Sequence, residues 1–152
     1  MRSLAARLSA GVVIAALLVR GAAASPAVDY VLHCQGCHRA DGAATPGSGV
    51  PALAGSVGRF AAIDGGRDYL VRVPGVAQAP LDDEALAALL TWTLEHFSAA
   101  ELSGDFTPFT AAEIARGRRA PLTDVEGARR ALLDALERTP AHDGAPGPPK
   151  PR

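Results

Sequence analysis

After the initiator Met1 the chain contains no methionine. Whatever the folded protein does, it does without a thioether side chain, one of the soft ligands that select particular metals. Lysine is almost as scarce: only Lys150 occurs, so positive charge is carried nearly entirely by arginine. Cysteine appears twice, at Cys34 and Cys37, and a single pair cannot build a zinc site made of two such pairs. Strand-length runs of β-branched residues are missing, which argues against a sheet. No internal repeat is visible. The formal net charge of −1 offers none of the basic surface that nucleic acid or an anionic membrane requires, which argues against both as partners.

What is present begins with an export signal. Arg2 and Arg7 make a basic start, Leu8 to Val19 (LSAGVVIAALLV) is an apolar run of twelve residues, and Ala22-Ala23-Ala24 supplies the small residues of a cleavage site. This is the pattern of a secretory signal peptide over residues 1–24, and it points to the periplasm. Twelve apolar residues closed by Arg20 fall short of the roughly 20 that a membrane-spanning helix needs. A membrane association would require that this segment be retained. Without it the basic residues drop from 15 to 12 against 16 acidic ones, a formal net charge of −4 on 128 residues. That length suffices for one small domain with its own core. The stretch from Thr139 to Arg152 (TPAHDGAPGPPKPR), with five prolines and two glycines, reads as a disordered tail over 139–152.

The most specific motif is Tyr30-Val-Leu-His-Cys-Gln-Gly-Cys-His38, which holds both cysteines with a histidine on each side. Three chemistries compete for it. Zinc needs four soft or imidazole ligands, and neither a second Cys pair nor a close His pair exists. A thioredoxin-like redox pair belongs beside a βαβ pattern, whereas the surroundings read as helix and loop. The third is C-x-x-C-H, the attachment signature of c-type haem. Two thiols three positions apart near a helix end can each form a thioether to a haem vinyl group, and His38 can then reach the iron. Export supports this reading, because covalent haem attachment in bacteria takes place outside the cytoplasm. The candidate cofactor-binding residues are therefore Cys34, Cys37 and His38, with His38 as the metal ligand and one covalent haem c per chain.

Three separated segments then resemble one family, the class I c-type cytochromes. Tyr30 stands four positions before Cys34; Val50-Pro51-Ala52-Leu53-Ala54-Gly55 is similar to that family's G-P-x-L-x-G loop; and Leu81-Asp-Asp-Glu-Ala-Leu-Ala-Ala-Leu-Leu-Thr-Trp92 is similar to its terminal L-S-D-E-E-I-A-A-L-V-A-Y helix. The resemblance covers Pro26 to Phe97. It implies an all-α fold, a small cytochrome c-like helical domain over 25–98 around a covalent haem, acting as a periplasmic carrier of single electrons between redox partner proteins and not as an enzyme. It implies further that the Pro51 carbonyl accepts the second ring N–H of His38, and that Tyr30 and Trp92 meet where the first and last helices of this domain cross. The last helix also stands on its own pattern. Asp82 is a good N-cap, Asp83 and Glu84 favour the first turn, and Leu86, Leu89, Leu90, Thr93 and Phe97 recur at helical spacing. Ala85, Ala88 and Trp92 form a second, flatter face.

The chain departs from the family at one informative place. Val73-Pro74 stands where the family tends to have Met-Pro, the source of the sixth iron ligand, and valine cannot coordinate iron. His96, Tyr69, water or no ligand at all are the alternatives; His33 and His142 are poorly placed. An open sixth position would allow small-ligand binding, as a sensor or weak peroxidase. An accessory haem subunit of a periplasmic dehydrogenase is a third role. One or two of the arginines Arg59, Arg67 and Arg72 pair with the haem propionates, or they form a solvated face paired with Asp64 and Asp68; for Arg59 and Arg72 the two readings stand level.

Beyond the family's usual end lies a helical extension over 99–138. Thr110 with Glu113 is a capping box that opens a helix ending near Gly117, and Thr123 with Glu126 repeats the pattern before a second helix to about Arg138. Val125, Leu132, Leu133 and Leu136 share one side of that helix. Phe106 and Phe109 are expected to pin the extension to the haem domain. Arg116, Arg118, Arg119, Arg129 and Arg130 make the segment locally basic, either as a solvated face or as a docking surface.

Overall fold

The structure, a computed structural model, describes residues 24–138. The export signal over 1–24, Ala24 apart, and the tail over 139–152 lie outside the described residues. Among these residues the chain is helical with no strand, as expected for an all-α cytochrome c-like fold. No described helix is long and apolar enough to cross a membrane. The helices are α1 (Pro26–His33), α2 (Gln35–His38), α3 (Val57–Ala61), α4 (Gly66–Arg72), α5 (Pro74–Ala77), α6 (Asp83–Phe97), α7 (Ala111–Gly117) and α8 (Val125–Arg138), with a 3₁₀ turn at Ala99–Glu101.

Four of the helix starts are capped by a side chain. Ser25 caps α1 through its side chain, with Pro26 in the first turn. Asp82 caps α6 by accepting the Ala85 N–H at 2.8 Å. Thr110 and Glu113 form the full capping box of α7, which satisfies backbone donors that a helix start otherwise leaves open. At α8 the expectation shifts by one residue. Asp124, not Thr123, accepts the Gly127 N–H at 2.8 Å. A glycine three places after the cap has no side chain to reach back, so the cap acts alone and not as a box.

Helix α6 is the axis of the molecule. Leu86, Leu89, Leu90 and Thr93 are buried on its inner face. Its second buried face is not the expected one, since Ala88 is exposed while Ala87 and Leu94 are buried. That face meets the segment after residue 98: Leu94, Phe109 and Ile114 belong to one core cluster, and Thr91 Oγ1 accepts the Phe109 N–H at 2.9 Å. On a third side α6 crosses α1. Tyr30, 2% exposed, packs with its ring centroid 5.5 Å from Trp92 and 4.9 Å from Phe97, which is the crossing pair the sequence suggested.

Arginine forks fasten the extension. Arg67 on α4 donates to both carboxylate oxygens of Glu113, at 2.8 and 3.0 Å, and to the carbonyls of Thr107 and Pro108. Its guanidinium also lies 4.0 Å from the Phe109 ring centroid. Arg118 reaches back to the carbonyls of Ala77, Ala79 and Leu81 and to Asp83 Oδ1. Arg72 donates to the Ala120 carbonyl at 2.7 Å and to Asp68 Oδ2 at 2.8 Å. Close packing completes the join: a Cβ on Gly117 would strike the Val71 side chain.

Burial disfavours the Glu113 carboxylate, but hydrogen bonds from Arg67 and from the Thr110 backbone and hydroxyl outweigh it and hold its pKa at about 2, below the ordinary 4.5. A depressed folded-state pKa adds stability that is present above the unfolded value and disappears as pH falls through the folded one. Glu113→Gln should therefore destabilise the protein by about 2 kcal/mol at neutral pH. Thermal unfolding from pH 7 to 2.5 should show the gap between variant and wild type closing as pH falls from 4.5 toward 2. A gap independent of pH would contradict the assignment.

Candidate functional site

The motif opens onto a cavity of about 400 Å³, within the range of cofactor pockets. One side is formed by His33, Cys34, Cys37, His38 and the loop Val50 to Leu53; the rest comes from Phe60 of α3, Tyr69 and Leu70 of α4, Val73 to Val76, and Leu86, Leu89, Leu90 and Thr93 of α6. Val125 and Arg129 of α8 complete it. Helical periodicity therefore places both motif cysteines, His38 and the inner face of α6 around one space.

The motif is a continuous helical turn. Cys34 N–H donates to the Tyr30 carbonyl, Cys37 N–H and His38 N–H to the Cys34 carbonyl, and Arg39 N–H to the Gln35 carbonyl. Both thiols are free. The chain then breaks sharply at Arg39, with φ 53° and ψ 171°, a region that non-glycine residues enter at a cost of roughly 1–3 kcal/mol. What holds it there is Tyr30, whose hydroxyl donates to the Arg39 carbonyl at 2.7 Å and, more weakly, to the His38 carbonyl at 3.3 Å. Tyr30 is thus more than core filling: it clamps the backbone on the C-terminal side of His38. Burial, with Cys34 and Asp41 adding to it, pushes the Tyr30 hydroxyl up to about 12, so it stays a donor.

Burial raises the Cys34 thiol to about 11, with Cys37 and Asp29 reinforcing the effect. The wall suits a neutral sulfur. Burial also lowers the His38 pKa, while the Pro51 backbone carbonyl acts in the protonating direction. The hydrogen bond expected between these two is not formed in full, because His38 Nδ1 is buried without a partner. Burial thus favours the neutral imidazole, the form of histidine that ligates a metal.

Comparison with known proteins bears on what fills this cavity. No family model matches the chain. Cytochrome c-552 of Thermus thermophilus is 35% identical over 108 aligned residues, which span 59% of this chain and 82% of the relative. Cytochrome c-552 from a second strain of Thermus thermophilus is likewise 35% identical over 108 residues, 59% of this chain and 72% of its own length. The chain belongs to the c-type cytochromes. Its cofactor is a covalently bound haem c and its general role is that of an electron carrier. The residues present fit that group: the cavity lining is largely apolar and includes two free thiols and the half-buried His38 imidazole.

Other sequence expectations sort clearly. Tyr69 lines the cavity, and burial raises its pKa against the opposing charge of Arg129. His33 is exposed at the rim. His96 is no part of the wall; it stacks on Trp92 with ring centroids 4.4 Å apart. His142 lies outside the described residues. Of the two readings of these arginines, Arg72 follows the pairing with Asp68, donating to it and to the Ala120 carbonyl, and Arg59 is exposed and outside the cavity lining. The arginine in the wall is Arg129. Its signal was its place one turn after Val125 on the apolar side of α8.

Tyr30→Phe should cost about 1–2 kcal/mol, because the Arg39 carbonyl loses its hydroxyl donor. Denaturant unfolding measures it. An unchanged midpoint would show that the clamp on Arg39 is not energetically significant.

Proposed function

We propose that this cytochrome is an exported, periplasmic electron carrier in which Cys34 and Cys37 tether the haem as thioethers and His38 binds the iron. The observation behind this reading is the placement of both thiols and the half-buried His38 imidazole together in the lining of a largely apolar cavity. Haem, when bound, supplies a one-electron ferric–ferrous couple. The chain's own residues set its surroundings. Cys34, already held neutral by burial, loses nothing by becoming a thioether, which carries no ionisable proton. Pro51, at the ring of His38, is positioned to fix that ring's orientation and basicity. Phe60, Leu70, Leu86, Leu89 and Leu90 exclude water and lower the local dielectric, a condition that tunes redox potential. The exposed apolar side chains Val28, Val31 and Leu32 of α1, adjoining His33 at the cavity rim, offer a contact patch for a redox partner.

A second reading rests on one observation. Apart from the motif residues and His33, Tyr69 is the only side chain of the cavity wall that ligates haem iron elsewhere in protein chemistry. A sixth position left open would bind small ligands such as CO or NO.

Production in a host with haem-attachment machinery tests both readings. One covalent haem per chain is expected by mass, lost in Cys34→Ser/Cys37→Ser, and an altered iron spectrum is expected in His38→Ala. His96→Ala should leave the spectrum unchanged, since that side chain is stacked on Trp92. The ferrous form should take up CO; a spectrum unmoved by CO would remove the second reading. Absence of covalent haem from the wild type would overturn the first.

A further inference from the structure

We propose that Arg129 on α8 binds a carboxylate of the haem, making the C-terminal extension part of the haem site. The inference rests on the reading that haem occupies this cavity. Haem is an apolar macrocycle that carries two carboxylates, and a cavity that accepts it must answer that charge. Among the described residues lining the cavity, Arg129 is the only one with a permanent charge, and none is Asp, Glu or Lys.

The state of its donors points the same way. Arg129 Nε is buried and has no hydrogen-bond partner, whereas buried charged groups are normally paired. Its guanidinium lies 5.9 Å from the Phe60 ring centroid, and its charge is felt at Tyr69, both of them cavity-lining residues. The neighbouring forks are already used: Arg67 by Glu113, Arg72 by Asp68, and Arg118 by Asp83. Nothing comparable engages Arg129 Nε.

Its position is fixed by the helix that carries it. Val125, Ala128, Leu132, Leu133 and Leu136 of α8 pack against the core, and a Cβ on Gly65 would sit 3.8 Å from Leu132. A carboxylate meeting this planar guanidinium can be held by two parallel N–H donors. The extension thereby contributes a charge to the haem's surroundings that the segment resembling the wider family does not.

The test is the midpoint potential of the haem-loaded full chain in Arg129→Gln, Arg129→Lys and Arg130→Gln. Arg130 is an exposed neighbour on the same helix. Removing the cation leaves the carboxylate charge uncompensated, which favours ferric iron. Arg129→Gln should therefore have a lower potential than wild type, with a shifted resonance-Raman propionate band. Arg129→Lys should recover part of the shift, and Arg130→Gln should match wild type. The proposal is overturned if Arg129→Gln keeps the wild-type potential, if Arg130→Gln shifts it equally, or if Arg129→Lys recovers nothing. Covalent haem is quantified in every sample. A wild type without it refutes the site as a whole, and unchanged potentials with haem attached refute Arg129 alone.

Discussion

The core of this protein is a wall around a space, and most of the structure follows from that. Leu86, Leu89, Leu90 and Thr93 on α6, Phe60 on α3 and Leu70 on α4 are buried, yet each also faces a cavity of about 400 Å³. Apolar side chains around a shared space pack fully only when that space is filled, because lining atoms with nothing opposite lose their dispersion contacts. Folding and haem attachment are therefore energetically one problem. The short helices α3, α4 and α5 fit the same view. Such pieces are too short to be stable alone, and packing around a common centre is what holds them.

The scarcity of lysine has a counterpart in the structure. Arg67 makes four hydrogen bonds to a carboxylate and two carbonyls, and Arg118 makes four to one carboxylate and three carbonyls. A planar fork with five donors can serve several fixed acceptors at once; an ammonium on a flexible stem serves them poorly. The segment that looked locally basic in sequence is thus partly an internal fastening. Arg118 ties α7 to the start of α6, and Arg67 receives Glu113 from α7. The same Glu113 closes the cap of its own helix, so one carboxylate couples a local helix start to a long-range join.

The strained backbone at Arg39 links the motif to the helix crossing. Tyr30 packs against Trp92 and Phe97 with its ring and holds the Arg39 carbonyl with its hydroxyl. The crossing of α1 and α6 therefore positions the residues just after His38 as well as closing the core.

Much of this was legible from local pattern. The C-x-x-C-H spacing, the caps at Asp82 and Thr110, the inner face of α6 and the Tyr30–Trp92 pair are set by interactions within a turn or two or by side-chain type, and these survive in a linear reading. The misreadings share a different cause. Ala88 was exposed where Ala87 and Leu94 were buried, the α8 cap moved from Thr123 to Asp124, and Arg129 entered the cavity. Two of these depend on how residues after 98 fold back over α4 and α6, bringing together groups 35 to 48 positions apart; the cap depends on which of two adjacent acceptors the backbone presents. Residue chemistry and helical period are properties of a short window of chain, so they could be read in order. The direction in which an arginine fork points is decided by acceptors that only the folded-back extension supplies.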